Sequence, residues 1–373
     1  MSGQSDVIQI DGQEFVETED HLYALGLQFP EHRSADFPTL ATMAPLLDMA
    51  EIKRIVESQD FKFGRAMFDS SWTTNQNGYG SCAAYGGSSA LAKARVIGGQ
   101  KRVDLSGDYL YSLVNGGRDR GSMLDDCMKT MLSKGVCSAS TVPLGGIYRS
   151  KYNTGAADAE ARRFRGHELY AVPDEQSMAT ALALRIPVVI AIHVTGSWRR
   201  FDSDNILAPC NGVGNHCEHL DDIMWSAKRG CLLYRKATSH GKDYSKDGGY
   251  CWTLWADHYK QTSRNHMFYA VPSAIEDPQG DNPFGGAHGD DSGPEPITDE
   301  IVITRTSSSG CVWCDRWKAT EEPKVAAAGY TLVDGQVPGS GVPRFRLSVN
   351  GQTKDQIGFW KFDDIERAIA SMR

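Results

Sequence analysis

The stretch that most constrains this chain is a glycine-rich turn that runs directly into a helical segment, with a cysteine at the junction. Residues 76–85 read Gln-Asn-Gly-Tyr-Gly-Ser-Cys-Ala-Ala-Tyr, and mostly small or apolar residues continue to position 97. This pattern predicts a buried helix with Ser81 as its N-cap and Cys82 in its first turn. The positive end of a helix dipole favours the thiolate of a cysteine, which is its nucleophilic form. Gln76 lies six residues upstream, where its amide could donate to an oxyanion beside the sulfur.

A nucleophilic cysteine needs a base, and two histidines are candidates. The apolar run 185–192 is typical of a strand, and a polar loop then leads to His216. The second candidate is His240, in the tetrapeptide Thr-Ser-His-Gly at 238–241. Without such a partner, Cys82 would be read as a structural cysteine at the start of a helix.

Taken together, these motifs resemble those of the papain-like cysteine peptidases over about residues 65–275. Cys82 and His216 are 134 residues apart (216 − 82), within the roughly 130–150 residues that separate the catalytic pair of that family. The resemblance implies an α+β fold with two lobes, in which a helical lobe carries Cys82 and a β-rich lobe carries His216. It implies amide hydrolysis with Cys82 as nucleophile, His216 as base, and Gln76 with the Cys82 N–H as oxyanion donors.

Three positions depart from the family pattern. Thr238 stands where the family has the asparagine that orients the histidine, and the resemblance assigns that role to its hydroxyl. Ala83 stands where the family usually has tryptophan. Tyr79 replaces a disulfide cysteine, which suits a reducing compartment.

Composition narrows the possible partners and compartments. Lys and Arg number 39 against 47 Asp and Glu, a net charge of −8, and no basic cluster stands out, so we expect no nucleic-acid binding. The longest apolar run, 186–192, is too short to span a bilayer, and the N-terminus lacks the pattern of a signal peptide. Nine cysteines are an odd number, unlike a fully paired secreted framework. These features predict a cytoplasmic protein or one later packaged in a virion, with no membrane association.

A zinc site is a further alternative, because cysteine and histidine crowd the segment 210–219. Cys210, His216, Cys217 and His219 could each supply a ligand. Structural zinc sites usually combine two paired knuckles, whereas the chain has one Cys-x-x-Cys. We therefore predict no metal and no cofactor.

Residues 1–64 are expected to form an N-terminal arm or an extra packing layer. An alternation around Asp11 and Gly12 predicts a β-hairpin, and the spacing of apolar residues over 45–57 predicts a helix. Papain-like zymogens carry an inhibitory N-terminal segment, and covering of the cleft by residues 1–64 is the alternative.

Residues 276–299 contain five Gly, four Pro and seven acidic residues without Lys or Arg, which predicts a linker. Residues 300–373 then place a Cys-x-x-Cys, Cys311 and Cys314, between a strand and a helix. This order, with Pro343 heading a later strand, resembles a small α/β domain of the thioredoxin or glutaredoxin type. The resemblance implies a redox pair beside a cis proline.

Two other functions remain open at this stage. Papain-like and thioredoxin-like domains also occur in phage structural proteins, where the fold would serve as a catalytically weak or inactive packing module among neighbouring subunits. A thiol–disulfide redox protein acting only through Cys311 and Cys314 is the second. The leading hypothesis is a cysteine peptidase acting on peptide or protein substrates.

Overall fold

The structure is a computed structural model. It describes residues 6–10, 13–17, 22–28, 36–58, 61, 63–143, 155–210, 212–272, 274–276, 301–306, 314, 317–318, 321–328, 330–335, 337, 344–349, 352–357 and 362–372. The chain divides into two compact units. The first comprises Met1–Leu40 and Leu46–Pro278, and the second comprises Ala41–Pro45 and Gln279–Arg373.

The described α-helices before residue 277 are α1 (Leu40–Met43), α2 (Met49–Glu57), α3 (Gly64–Met67), α4 (Cys82–Ile97), α5 (Gly107–Val114), α6 (Leu124–Ser133), α7 (Gly155–Arg163) and α8 (Glu175–Ala183). The longest, α4, is buried from its first residue through Arg95. Its N-cap residue is Ser81, as predicted, although the Ser81 hydroxyl makes no capping hydrogen bond. Among the described parts of the chain, no helix is long and apolar enough to cross a membrane.

The strands of the first unit are β1 (Asp6–Ile10), β2 (Gln13–Glu17), β3 (Leu22–Leu25), β4 (Phe164–Gly166), β5 (Tyr170–Val172), β6 (Val188–Ile192), β7 (His216–Ser226), β8 (Cys231–Ala237), β9 (Tyr250–Thr253), β10 (Phe268–Ala270) and β11 (Ala274–Glu276). β1, β2 and β3 form an antiparallel sheet, which confirms the predicted hairpin. β5, β10, β6, β7, β8 and β9 form a six-stranded sheet in that order, with antiparallel neighbours. β4 pairs with β11.

Helix α4 lies close to the six-stranded sheet at Gly86. A Cβ atom at this position would lie 3.0 Å from the Cys217 sulfur and 3.1 Å from the Glu218 carbonyl oxygen, so a side chain there would press on β7. Glycine weakens a helix interior, yet here it allows the backbones of α4 and β7 to approach. Cys82 is four residues before Gly86, and His216 opens β7, so this contact brings the two ends together.

The second unit contains β12 (Ile301–Thr306), β13 (Thr331–Asp334), β14 (Arg344–Val349), β15 (Gln352–Ile357), α9 (Glu322–Ala327) and α10 (Phe362–Met372). The sheet order is β13-β12-β14-β15, with β12 parallel to β13 and the other pairs antiparallel.

We expect substitution of Gly86 by valine to lower the free energy of unfolding by about 1–3 kcal/mol, because the added atoms overpack the contact between α4 and β7. Urea unfolding would measure the change. The control is Gly155→Val, at an exposed site where a Cβ atom meets nothing within 4 Å. Equal midpoints for the two variants would contradict a tight contact at Gly86.

Candidate active site

The turn before Cys82 is tied to the loop that follows α5. Asp119 Oδ1 accepts hydrogen bonds from the Gly80 N–H at 2.9 Å and from the Tyr111 hydroxyl at 2.8 Å. The Tyr111 oxygen in turn accepts from the Gly121 N–H at 2.9 Å. Cys82 follows as the first residue of α4 and is 0 % exposed. The position of the sulfur is therefore fixed by both the helix and this carboxylate.

His216 is the first residue of β7 and is also 0 % exposed. Burial alone would lower the pKa of its ring, but Cys82 and Glu218 act in the opposite direction and raise it to about 9. Within the described residues His216 Nδ1 has no hydrogen-bond partner of ordinary geometry. The structure thus brings together the cysteine and the histidine that the sequence paired, and the histidine favours its charged form.

His240 contacts His216 on the other ring nitrogen. The two Nε2 atoms are 3.0 Å apart, and the rings are stacked with centroids 4.7 Å apart. Burial and the neighbouring His216 charge hold the pKa of His240 well below its usual value, so His240 is neutral. A protonated His216 therefore donates from Nε2, and His240 accepts. Trp198 packs edge-on against His240 at 4.5 Å.

Thr238 does not occupy the orienting place that the sequence assigned to it. Its hydroxyl accepts from the His240 N–H at 3.2 Å, and in the described structure it is His240 that contacts His216 Nε2. The difference arises because the chain turns after β8 so that the third residue of the tetrapeptide, and not the first, faces the ring. Thr238 therefore supports His240 by accepting a hydrogen bond from the His240 backbone N–H.

Gln76 is held by the same tetrapeptide. The Ser239 hydroxyl donates to Gln76 Oε1 at 2.6 Å, and the Gln76 N–H donates to the Ser239 carbonyl at 2.8 Å. With its oxygen fixed in this way, the Gln76 amide nitrogen faces the turn before Cys82, where it donates to the Tyr79 carbonyl at 2.5 Å.

A buried carboxylate completes the surroundings of His216. Glu218 lies two residues further along β7, on the same face of the strand, and its Oε1 is 3.7 Å from His216 Nε2. Its other oxygen forms an ion pair with Lys236 on β8. Burial would raise the pKa of Glu218, but Lys236 and His216 lower it to about 2. This carboxylate is therefore ionised next to the histidine.

Comparison with known proteins identifies the family of this chain. Residues 65–261, more than half of the chain, match the family described as papain family cysteine protease. The chain belongs to this family. The match includes Cys82, His216, Glu218 and His240 and ends before the second unit.

Solved structures of cysteine proteases match parts of the chain at low identity. Xylellain, a cysteine protease from Xylella fastidiosa, is 18% identical, with a TM-score of 0.48 over 66% of this chain and 94% of its own. Procathepsin B S9 from Trypanosoma congolense is 15% identical, with a TM-score of 0.46 over 66% and 85%. The bromelain protease from Ananas comosus is 16% identical, with a TM-score of 0.41 over 53% and 91%. No curated protein matches the chain.

In this papain-family chain, residues 25–28, here called the cover segment, contact the loops on either side of the candidate site. The Leu27 N–H donates to the Asn215 carbonyl at 3.3 Å, directly before His216. The cover segment also runs parallel to Ser122, which donates to the Gly26 carbonyl at 2.9 Å and accepts from the Gln28 N–H at 3.1 Å. These bonds fasten the segment to both the histidine side and the loop after α5.

Gly26 shows how closely the cover segment approaches the cysteine turn. A Cβ atom at Gly26 would lie 2.0 Å from the Gly80 carbonyl oxygen, and one at Gly121 would lie 2.1 Å from the Gly26 carbonyl oxygen. Gly121 also has a φ of +80°, which favours glycine. Any side chain at either position would push the segment away from the site.

The remaining sequence predictions concern a zinc site and a redox pair of cysteines. Within the described residues no group of three or more His, Cys, Asp or Glu side chains is arranged to hold a metal ion. Burial lowers the pKa of His219 well below its usual value and raises that of Cys210 to about 12, so neither ionises at neutral pH. Cys311 and Pro343 lie outside the described residues. Cys314 is buried and disulfide-bonded.

Two functional candidates were missed at the sequence level. The sequence offers His240 only as an alternative to His216, because its position in the tetrapeptide gives no reason to place it in contact with His216. Glu218 received no role, although its spacing of two from His216 places both on one face of any strand. That spacing was the available signal.

Proposed function

We propose that this chain hydrolyses amide bonds in peptide or protein substrates, with Cys82 as nucleophile and His216 as its proton-transfer partner. The observation that carries the proposal is the coupling of the Cys82 sulfur to a His216 ring whose pKa is raised to about 9. A ring that stays protonated at neutral pH beside a cysteine stabilises the thiolate, the form that attacks carbonyl carbon.

The proposed reaction has two halves. The Cys82 thiolate adds to the amide carbonyl, and the carbonyl oxygen becomes an oxyanion. The C–N bond then breaks, His216 gives its proton to the leaving amine, and a thioester remains. In the second half neutral His216 takes a proton from water as the hydroxide adds to the thioester. Breaking of the C–S bond releases the acid and restores the thiolate and the imidazolium.

The Gln76 amide and the Cys82 N–H would hold the oxyanion in both halves. The fixed orientation of Gln76 supports this role, because Ser239 occupies its oxygen and leaves the nitrogen toward the turn before Cys82. Donors fixed before the reaction stabilise developing charge without reorganisation.

The proposed peptidase is latent in the state described here. Cys82 and His216 are both 0 % exposed, and the cover segment is bonded to loops on either side of them. These contacts favour the covering role of residues 1–64 over an arm for assembly. A substrate has to displace the cover segment before it reaches the sulfur.

A first test of latency is the substitution Gly26→Val in the full chain. The side chain cannot fit against the Gly80 carbonyl, and an overpacking cost of about 1–3 kcal/mol on the covered state increases the open population about 5- to 150-fold. We expect iodoacetamide to alkylate Cys82 faster by this factor, measured by mass spectrometry. Gly155→Val, in open space, should leave the rate unchanged. Equal rates for wild type and Gly26→Val would overturn the latency.

The nucleophile is tested in the Gly26→Val background. We expect Cys82→Ala to abolish hydrolysis of denatured casein, because no thiolate remains to form the thioester. The control is Cys127→Ala, since burial raises the pKa of that buried thiol to about 12 and holds it protonated. Hydrolysis that survives Cys82→Ala would place the nucleophile elsewhere. A folded and uncovered chain without any hydrolysis would favour the alternative of an inactive structural protein.

A second candidate function is thiol–disulfide exchange by a thioredoxin-like domain at residues 300–373, after a linker at 276–299. Three observations favour it. In the sheet order β13-β12-β14-β15 the strand β12 is parallel to β13 and antiparallel to β14, Cys314 is buried and disulfide-bonded, and β14 begins directly after Pro343. In this proposal Cys311 is the attacking thiol and Cys314 the resolving one.

The redox proposal is tested on the full chain equilibrated in glutathione buffers, quenched with acid and alkylated. We expect mass spectrometry to find Cys311 and Cys314 joined reversibly, while the seven cysteines that are free in the structure serve as the internal reference. Once the pair is reduced, Cys311 should alkylate faster than Cys314. A pair that never forms across the buffers, or faster alkylation of Cys314, would contradict redox chemistry.

A further inference from the structure

Glu218 and Lys236 form a fully buried ion pair next to His216, the proposed base. Both side chains are 0 % exposed, and they come from the neighbouring strands β7 and β8. Glu218 Oε2 contacts the Lys236 ammonium, while Oε1 faces His216 Nε2 at 3.7 Å and has no hydrogen bond of ordinary geometry in the described structure. One oxygen is thus held by the lysine, and the other is aimed at the histidine.

The ammonium is itself anchored on its other side. Lys236 Nζ is 3.2 Å from the Tyr244 hydroxyl oxygen, and that hydroxyl donates to the Trp198 carbonyl at 2.9 Å. Trp198 also packs its ring against His240. The pair therefore belongs to a continuous set of contacts that encloses His216.

Folding alone does not account for an ion pair in this position. Removing two charges from water costs several kcal/mol each, and well-packed apolar residues of similar volume often serve stability as well or better. A buried carboxylate has a functional role where it stabilises the positive charge of a neighbouring group. His216 is such a group, because burial opposes its charge and neutral His240 adds none.

Resting on the function proposed above, we infer that Glu218 is a positioning residue of the peptidase reaction. Its carboxylate, held by Lys236, keeps the buried His216 ring charged and oriented between Cys82 and His240. His240 supplies the hydrogen-bond acceptor and Glu218 supplies the counter-charge.

The charges that face His216 fix the sign of the expected effect. Cys82 approaches from α4 and Glu218 from β7, and both favour the imidazolium. His240 approaches from the turn after β8 and is neutral. The positive charge of Lys236 is paired with the carboxylate of Glu218, and the negative charge of that carboxylate offsets it. Removing the carboxylate therefore shifts His216 toward its neutral form.

The primary test reads the charge of His216 without requiring activity. Imidazole nitrogens of the ¹⁵N-histidine-labelled full chain are titrated by NMR, with His216 assigned from a His216→Gln variant. We expect Glu218→Gln to lower the midpoint of His216 by about one pH unit or more, a loss of about tenfold in proton affinity. Glu218→Asp should restore part of it, because it retains the charge.

The matched control is Asp221→Asn. Asp221 is a fully buried carboxylate on the same strand, but it pairs with Lys93 at 2.5 Å and with Arg235 at 3.4 Å. The His216 midpoint should be unchanged in this variant. An equal shift in Asp221→Asn and Glu218→Gln, or no shift in Glu218→Gln, would overturn the inference.

Folding is controlled with the double variant Glu218→Gln, Lys236→Met, which leaves no orphaned ammonium in the core. Thermal unfolding reports whether each variant folds, and the His216 midpoint should be lowered in the double variant as well. An unshifted midpoint in the folded double variant would contradict the role of Glu218.

A kinetic measurement separates this inference from the proposed function. In the Gly26→Val background, the rate of Cys82 alkylation is followed against pH. We expect Glu218→Gln to move the alkaline limit of the thiolate–imidazolium pair to lower pH. Rapid alkylation of Cys82 with no effect of Glu218→Gln would preserve the nucleophile and reject the role of Glu218. A shifted His216 midpoint with an inert Cys82 would reject the peptidase proposal and retain the electrostatic role.

Discussion

The close approach of α4 to β7 is the contact on which the rest of the site depends. A helix and a strand normally keep their backbones apart by the width of their side chains, and Gly86 removes that spacer at one point. The cysteine lies one helical turn before the contact and the histidine one residue before it along the strand. The absence of a side chain at Gly86 thus helps two groups that are 134 positions apart in the sequence (216 − 82) to approach each other.

The same contact encloses a large amount of buried charge. Lys93 on α4 pairs with Asp221, and Lys236 on β8 pairs with Glu218, so strand β7 carries carboxylates whose partners come from both neighbouring elements. Burial lowers the pKa of Lys93 to about 8, although Asp221 opposes the shift. Pairs of this kind contribute little net stability, but breaking one leaves an uncompensated charge in the core. They make the register between α4, β7 and β8 specific, because a slip would leave charges unpaired.

The sequence predicted those parts of the fold and the site whose signals lie within a short window of residues. Helix α4, the hairpin of β1 and β2, and the strand that His216 opens follow from spacing and turn residues within short windows. The contact between His240 and His216 could not be read in this way, because it depends on how the chain turns after β8. The contacts of residues 25–28 depend likewise on Gly26 and Gly121 and on the Gly80 backbone, which are distant in sequence and meet only in the folded chain. Glu218 could be predicted in part, because its spacing from His216 can be read from the sequence, whereas its pairing with Lys236 cannot.

In the proposed latent state the cover segment belongs to the same chain as the cleft, and this determines how it would compete with substrate. A tethered segment acts at an effective concentration on the order of millimolar or higher, whatever the dilution of the protein. In the proposed latent state this high effective concentration would let a few backbone hydrogen bonds to Asn215 and Ser122 hold the segment in place. One break in the backbone between this segment and α4 would convert an intramolecular contact into a bimolecular one. Occupancy of the cleft would then decline on dilution, and the break would act as a one-way trigger.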